Sequence, residues 1–336
     1  MNIMYLCDDN YAMIMGISLL SLLDNNKDIE TINIFLVTDN VSDFNIKKID
    51  RCVKLYNRNL FIIEKPNIKE LLGCDVTMHW WIENVFSRVF LGEVFKEYQE
   101  IKKLIYIDCD TLIVGSLRDL WNLDLENQIG AGVCEAMGTL HKSAIGMSER
   151  ENYFNAGMFL IDLAKWREND IDIKASDFVK RRRGKLEYAD ESVLNGVLSS
   201  NLKRISPKYN LTSLSVYFTI NELKIYRKSY FNYSENERQE ALDDARIIHF
   251  TSTYLDVRPW MEGCQHPYTD KWLEYKKMSF WAEEPLMQDN RSIKKKLAGK
   301  IVLMLPGYLR LHMTGVIHTY IKPFKYVLLN MRNERA

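Results

Sequence analysis

KKLIYIDCDTLIVGSL (residues 102–117) runs an apolar stretch, Leu104 to Ile107, into two acids, Asp108 and Asp110, and turns apolar again at Leu112. The stretch has the length and composition of a buried strand. In extended chain, residues i and i+2 point to the same side, so the two carboxylates are expected to face one point just past the strand's end. Anions so close repel, and a hard divalent cation is the usual remedy: Mg²⁺ or Mn²⁺ takes one or two carboxylates, with substrate phosphates completing its shell. Asp-x-Asp alone is a weak signal, since about one match is expected by chance in a chain of this size. Asp170 and Asp172 form another, which reads as an ordinary solvated turn.

Working outward, NIMYLC (2–7), TINIFLVTD (31–39) and LFIIE (60–64) read as buried strands. Helical patterns follow the first two, from Tyr11 to about Leu23 and from an N-cap at Ser42 to about Tyr56. A further helix is expected over Trp81–Tyr98, just before the strand at 103–107. Strands alternating with helices at this pace imply βαβ units and a mainly parallel central sheet flanked by helices, an α/β fold. After residue 120 the order loosens: 130–136, 156–163 and 245–250 read as strands, 174–183 and 190–199 as helices. Ligands of open α/β sheets bind beyond the carboxyl ends of the strands. Asp8, Asn10, Asp39, Asp108 and Asp110 all collect there.

The 336 residues carry 45 basic and 45 acidic side chains, a net charge of zero that argues against nucleic-acid binding by the body. The neutrality hides an asymmetry, because residues 291–336 hold ten basic residues and one acid. Six cysteines are scattered without a C-x-x-C pair, the N-terminus lacks a signal-peptide pattern, and no apolar run is long enough to span a bilayer. The expectation is a reduced, soluble, cytoplasmic body with a basic tail.

Two histidines are candidates for a third metal ligand. His249 ends the apolar run 246–249, and His266 in QHPY is its rival. A histidine nitrogen added to two carboxylates favours Mn²⁺ over Mg²⁺.

Taken in order, LCDDNYA (6–12), SRVFLGEVF (87–95), LIYIDCDTLIVGSLRDLW (104–121), YFNAGMFLIDLAKWRE (153–168), YADESVLNG (188–196) and HFTS with RPW (249–260) resemble glycosyltransferase family 8. These are retaining enzymes that include glycogenin and bacterial lipooligosaccharide galactosyltransferases. The resemblance implies a nucleotide-diphospho-sugar transferase fold of the GT-A kind and a hexose donor, UDP-glucose or UDP-galactose. It implies an acceptor that is a saccharide or glycolipid, and Mn²⁺, with Mg²⁺ as the alternative, on Asp108, Asp110 and His249. It further places Asp8 and Asn10 on uracil and ribose, Tyr11 stacked on the uracil ring, and Leu6 and Cys109 with them. Arg88, Asn155, Asp190 and Glu191 would serve the donor sugar, with Arg88, Asp190 and Glu191 as the catalytic set. The backbone at Ala156–Gly157 would let the sugar approach closely.

Three departures from the family pattern stand out. Ser252 takes the place of a glycine after the histidine, and Arg258 takes that of a lysine before Pro259-Trp260, so this pair is assigned to the diphosphate. Glu191 stands where related galactosyltransferases carry glutamine, and Glu135 where some carry a sugar-contacting aspartate. Glu191 therefore reopens the choice between covalent capture and front-face attack.

The chain divides into a catalytic body, 1–285, and a basic, aromatic tail, 286–336, which suits either an anionic membrane surface or packing on the body. The tryptophans of MHWWIENVF (78–86) suggest an acceptor platform or buried core. Competing readings are a metal-dependent nucleotidyltransferase, which would want an early glycine-rich phosphate loop, and a non-catalytic nucleotide-sugar-binding protein.

Overall fold

A computed structural model describes residues 1–73, 85–230, 233–289 and 291–324. Ten strands are formed among them: β1 (Asn2–Asp8), β2 (Asn33–Asp39), β3 (Asn59–Glu64), β4 (Lys103–Ile107), β5 (Thr111–Ile113), β6 (Gly130–Cys134), β7 (Phe154–Asp162), β8 (Leu202–Arg204), β9 (Leu211–Thr212) and β10 (Ile247–His249). Seven make the main sheet in the order β3-β2-β1-β4-β7-β6-β8. Every neighbouring pair is parallel except β4·β7 and β6·β7, so β7 alone runs against the rest. The mainly parallel α/β sheet read from the sequence is present. The remaining three strands form a small sheet, β5-β10-β9.

The chain builds outward from β1 to β3 and then returns to lay β4 on the other side of β1. That reversal opens the sheet's ligand crevice between the carboxyl ends of β1 and β4. Helix α1 (Ala12–Asp24) is apolar nearly all round and buried from Ala12 to Leu23, as a helix wedged between layers should be. Its two buried serines have partners on β5. Ser18 Oγ lies 2.8 Å from Thr111 Oγ1, and Ser21 Oγ accepts from Ile113 N at 3.0 Å. Helix α2 (Asp43–Leu55) is amphipathic, buries Ile49, Cys52 and Val53, and is capped by Ser42, whose side chain accepts from Asn45 N.

Two expectations are corrected. Over 85–98 there is no continuous helix: a tight turn at Phe86–Val89 and a short helix at Leu91–Val94 meet at Phe90, whose backbone (φ −121°, ψ 49°) is not helical. The preceding residues 74–84, with both tryptophans, lie outside the described residues. Asp172 is no solvated turn residue either. Its carboxylate accepts from Gly92 N, Glu93 N and Trp166 Nε1, tying that short helix to the helix Ile171–Arg181.

Beyond β10 the chain folds back on α1. Trp281 is buried, donates to Asn45 Oδ1 at 3.0 Å, and packs against Gly16. The helix Gly307–Val316 and the turn Ile317–Ile321 pack on the helix Ile220–Arg227. Leu311, Thr314, Gly315 and Thr319 are the buried side of that contact. Over Gly307–Ile321, then, the tail is docked on the body. Among the described residues no helix is long and apolar enough to cross a membrane.

A Cβ on Gly16 would lie 2.2 Å from the Trp281 ring. Gly16→Ala should therefore lose roughly 1–3 kcal/mol to overpacking, more than the ~1 kcal/mol a helix gains from alanine over glycine. Urea unfolding checks the sign, and a more stable variant would mean that Trp281 does not sit there.

Candidate active site

The chain leaves the main sheet at Ile107 and enters the small one at Thr111, so Asp108–Asp110 is the bend between two sheets and not extended strand. Backbone bonds clamp both ends of the bend: Asp108 N donates to Gly157 O at 2.8 Å, and Phe250 N to Asp110 O at 2.9 Å. The carboxylates converge through this turn, whereas strand pleating was the expected cause. β10, paired with β5, brings His249 to the same point. Its Nε2 lies 3.1 Å from Asp110 Oδ1 and 3.8 Å from Asp108 Oδ2. One ligand atom from each of Asp108, Asp110 and His249 falls within 4.8 Å of the others, a donor set that fits a divalent cation. His266 is no part of it; its ring packs among Phe250, Tyr217 and Tyr268.

Cations flank the acids on both sides. Arg88 Nη1 donates to Asp108 Oδ1 at 2.7 Å, to Tyr106 OH at 3.1 Å and to Ala156 O at 3.1 Å, while its Nε pairs with Asp190. Tyr106 OH also donates to Asp108 Oδ1, at 2.5 Å. On the other side Arg258 lies 3.2 Å from Asp110 Oδ2, donates to Ser252 Oγ at 2.8 Å and reaches Tyr11 OH at 3.4 Å. Burial alone would raise the Asp110 carboxyl, but the charges of His249 and Arg258 outweigh it and hold it down to about 2. Burial pushes Asp190 up to about 6 against the pull of Arg88, which leaves it ionised at neutral pH.

A cleft of about 410 Å³ opens in front of this cluster. Of the residues assigned from sequence, Leu6, Asp8, Tyr11, Arg88, Asp108, Cys109, Asp110 and Arg258 line it, joined by Asp39 and Tyr106. Ser252 is brought to its rim through Arg258. Asn10 is exposed beside it, and Asp8 caps the turn Asp9–Tyr11 by accepting from Tyr11 N. Another cleft of similar size, about 440 Å³, lies by β3 among Glu64, Glu70 and Glu93 and holds none of these ligands.

Asn155, Ala156, Gly157 and Glu191 form a layer behind the cleft. Glu191 Oε2 accepts from Ala156 N at 2.9 Å, and its Oε1 from Tyr153 OH at 2.9 Å. Asn155 Nδ2 donates to Glu135 at 2.6 Å and approaches Glu191 at 3.5 Å. Asn195 fixes the helix Ala189–Leu198 to β7 by bonding Phe154 N and Phe154 O. Gly157 also meets a need that the sequence did not reveal. A Cβ there would lie 2.1 Å from His249 Cε1, so the missing side chain makes room for the imidazole. Sequence reading passed over Asn210, which lies 2.9 Å from His249 Nδ1; in KYNLTS it has the look of a turn residue, and only the fold brings it there.

The comparisons with known proteins agree with this geometry. The model of glycosyl transferase family 8 matches residues 2–264. General stress protein A of Bacillus subtilis is 25% identical over 284 residues, covering 84% of this chain and 94% of its own. A lipopolysaccharide 1,2-glucosyltransferase of Escherichia coli K12 is 24% identical, covering 97% of this chain and 92% of its own. Among solved structures, the galactosyltransferase LgtC in complex with donor and acceptor sugar analogs superposes with a TM-score of 0.69 at 22% identity, over 84% of this chain and 98% of its own. Since the matched region holds all ten strands and every ligand of the Asp108–Asp110–His249 cluster, this chain, with its GT-A fold, belongs to glycosyltransferase family 8.

Proposed function

We propose that the chain moves a hexose from UDP-glucose or UDP-galactose to a saccharide or glycolipid acceptor, with retention at the anomeric carbon. Asp108, Asp110 and His249 would hold Mn²⁺, with Mg²⁺ the alternative. The supporting observation is the convergence of these three side chains at the carboxyl ends of β1 and β4, with Arg258 beside them. When bound, the ion supplies positive charge to a diphosphate leaving group. Arg258, steadied by Ser252, offers that diphosphate a planar fork. Tyr11 presents its ring to the uracil, with Asp8, Asn10, Leu6 and Cys109 around uracil and ribose. Arg88 and Asp190 serve the donor sugar from behind Asp108, beside Asn155, Ala156 and Gly157. A nucleotidyltransferase is disfavoured, because Asp9–Tyr11 is a tight turn without glycine where its phosphate loop would lie.

Glu191 has the wrong surroundings for a nucleophile. Both oxygens already accept hydrogen bonds. Burial, and then the charge of Glu135, push its carboxyl up to about 8, so it is protonated at neutral pH. We therefore assign it to holding the β7 backbone in place, with the acceptor hydroxyl entering on the leaving group's face.

The likeness to the lipopolysaccharide glucosyltransferase extends over 97% of this chain, tail included, and supports an acceptor in surface polysaccharide or lipopolysaccharide synthesis. In this reading 1–285 is the catalytic domain and 286–336 a tail that rests on the inner face of the cell membrane. The docked tail turns Met304, Tyr308, Ile321 and Phe324 outward, at 86%, 73%, 62% and 55% exposure, along with Lys294 and Lys300. An apolar and basic face of this kind suits anionic lipid.

The chain should release free UDP from one of the two donors only with Mn²⁺ present, water serving as a slow acceptor. Asp110→Asn should lower that release about 100-fold or more; chelator-insensitive release would refute the metal reading. Glu191→Gln should keep most of the activity, whereas a loss of about a thousandfold or more would restore the nucleophile. The same variant reports the protonation state. A folded pKa raised from 4.5 to about 8 gives stability that is full below about 4.5 and lost as pH climbs through 8. The melting temperature of Glu191→Gln should thus gain on the parent between pH 6 and pH 9; a constant gap would mean the glutamate is already ionised. Finally, Met304→Ser with Tyr308→Ser in the full chain should cut sedimentation with phosphatidylglycerol vesicles several-fold and leave UDP release in solution unchanged. Equal sedimentation removes the membrane role.

A further inference from the structure

His249 has two ring nitrogens, and only a nitrogen without a proton can take a metal ion. The tautomer follows from a chain of hydrogen bonds that begins at a group whose role is not in doubt. Gly157 N, a backbone amide, can only donate, and it lies 3.0 Å from one side-chain atom of Asn155, which must therefore be the oxygen. The other side-chain atom of Asn155 lies 2.6 Å from Glu135 Oε2, so the opposite end requires the same orientation. Asn210 approaches the Asn155 oxygen at 2.8 Å and must present its NH₂ there. Its carbonyl oxygen then faces His249 Nδ1 at 2.9 Å. A carbonyl only accepts, so Nδ1 carries the proton. Nε2 faces the two aspartates, which only accept, so without a cation it too carries a proton, and it is this nitrogen that a cation would take in the proton's place.

Asn210 is well placed for this. It is 1% exposed, its backbone N donates to Pro207 O at 3.0 Å, and it immediately precedes β9. β9 pairs with β10 through Ile248↔Leu211 and His249↔Thr212, so the small sheet carries the histidine and its partner on adjacent strands. The other end of the relay reaches Glu135 and, through Asn155, the layer containing Glu191.

We propose that Asn210 is a positioning residue, which sets the tautomer and orientation of the metal ligand His249 and, through Asn155, ties it to the carboxylates beneath the donor-sugar site. The inference rests on the reading that a cation sits on Asp108, Asp110 and His249. Outer partners of metal-bound histidines typically contribute about 10–100-fold in metal affinity.

The test is Mn²⁺ affinity, by calorimetry on the full chain without donor, set against the KM for the donor. Asn210→Leu removes the acceptor and should weaken Mn²⁺ binding about 10–100-fold. Asn210→Asp still accepts from Nδ1 but has no N–H for Asn155. It should bind Mn²⁺ within about threefold of the parent and raise the donor KM about tenfold, a split that general loosening of the fold would not produce. If Asn210→Leu does not fold, the split in Asn210→Asp decides alone. Parental affinity in Asn210→Leu, or no split in Asn210→Asp, overturns the inference. A parent chain that binds no Mn²⁺ overturns the cation reading and this inference with it.

Discussion

Two carboxylates, Asp108 and Asp110, are forced by a clamped bend into the same few ångströms, and the site is organised around their repulsion. Each has its own arginine, Arg88 on one side and Arg258 on the other, and Asp190 balances part of Arg88. With Glu191 protonated and the His249 ring neutral, as it must be to take a cation, three acids face two arginines, and the cluster is left with about one unit of negative charge. That residue is too small to hold a cation by field alone and too large to welcome a diphosphate. A divalent ion would reverse its sign, so that on the proposed reading cation and diphosphate would favour each other's binding. The same balance explains why Arg258 is free to change partners. In this state it is held by Asp110 and Ser252 at the edge of the cleft, where an incoming diphosphate is a better ligand for a guanidinium fork.

How much of this the sequence could reveal depended on whether the signal was local. β1, β2, β3 and β4 are apolar runs ending at acids, and Ser42 caps α2 as its side-chain chemistry predicts. Some residues of the cleft, Asp8, Asp108 and Asp110 among them, sit at strand ends, whereas Arg88 and Arg258 were reached only through the family resemblance. The small sheet escaped notice because β5 and β9 are three and two residues long, too short for any periodicity. The reversed direction of β7 is also illegible, since a strand buried on both faces reads the same either way. Asp172 misled because a short Asp-x-Asp resembles a turn, while its three donors come from Gly92, Glu93 and Trp166, two of them some eighty residues away. Asn210 carried no sequence signal at all; its role exists only once β9 lies beside β10.

The tail shows why an amphipathic pattern cannot by itself say which face is covered. Its docked side is made mainly of small residues. Gly315 lies against the Tyr226 carbonyl, where a Cβ would come within 2.6 Å of the oxygen, and Thr319 fits over Gly138. Close approach selects small side chains at the contact and leaves the bulky ones, Tyr308, Met304 and Ile321, facing out. Docking and membrane contact, which the sequence posed as alternatives, are thereby compatible, since on the proposed reading they would use two different faces of one segment.

The same closeness of parts bears on how the sugar is transferred. For Glu191 to attack an anomeric carbon, one oxygen would have to leave Tyr153 or Ala156 N, and the acid would have to shed a proton that burial holds in place. Ala156 is a poor group to release. Its carbonyl receives Arg88, and the next carbonyl, Gly157 O, receives Asp108 N, so the segment that Glu191 grips also seats the arginine and the first metal-ligand candidate. A glutamate that swung into the cleft would unseat the groups a leaving diphosphate needs at that moment. A fixed glutamate keeps them in register. On the proposed reading, covalent capture would therefore disrupt the electrostatic cluster, and front-face attack would leave it intact.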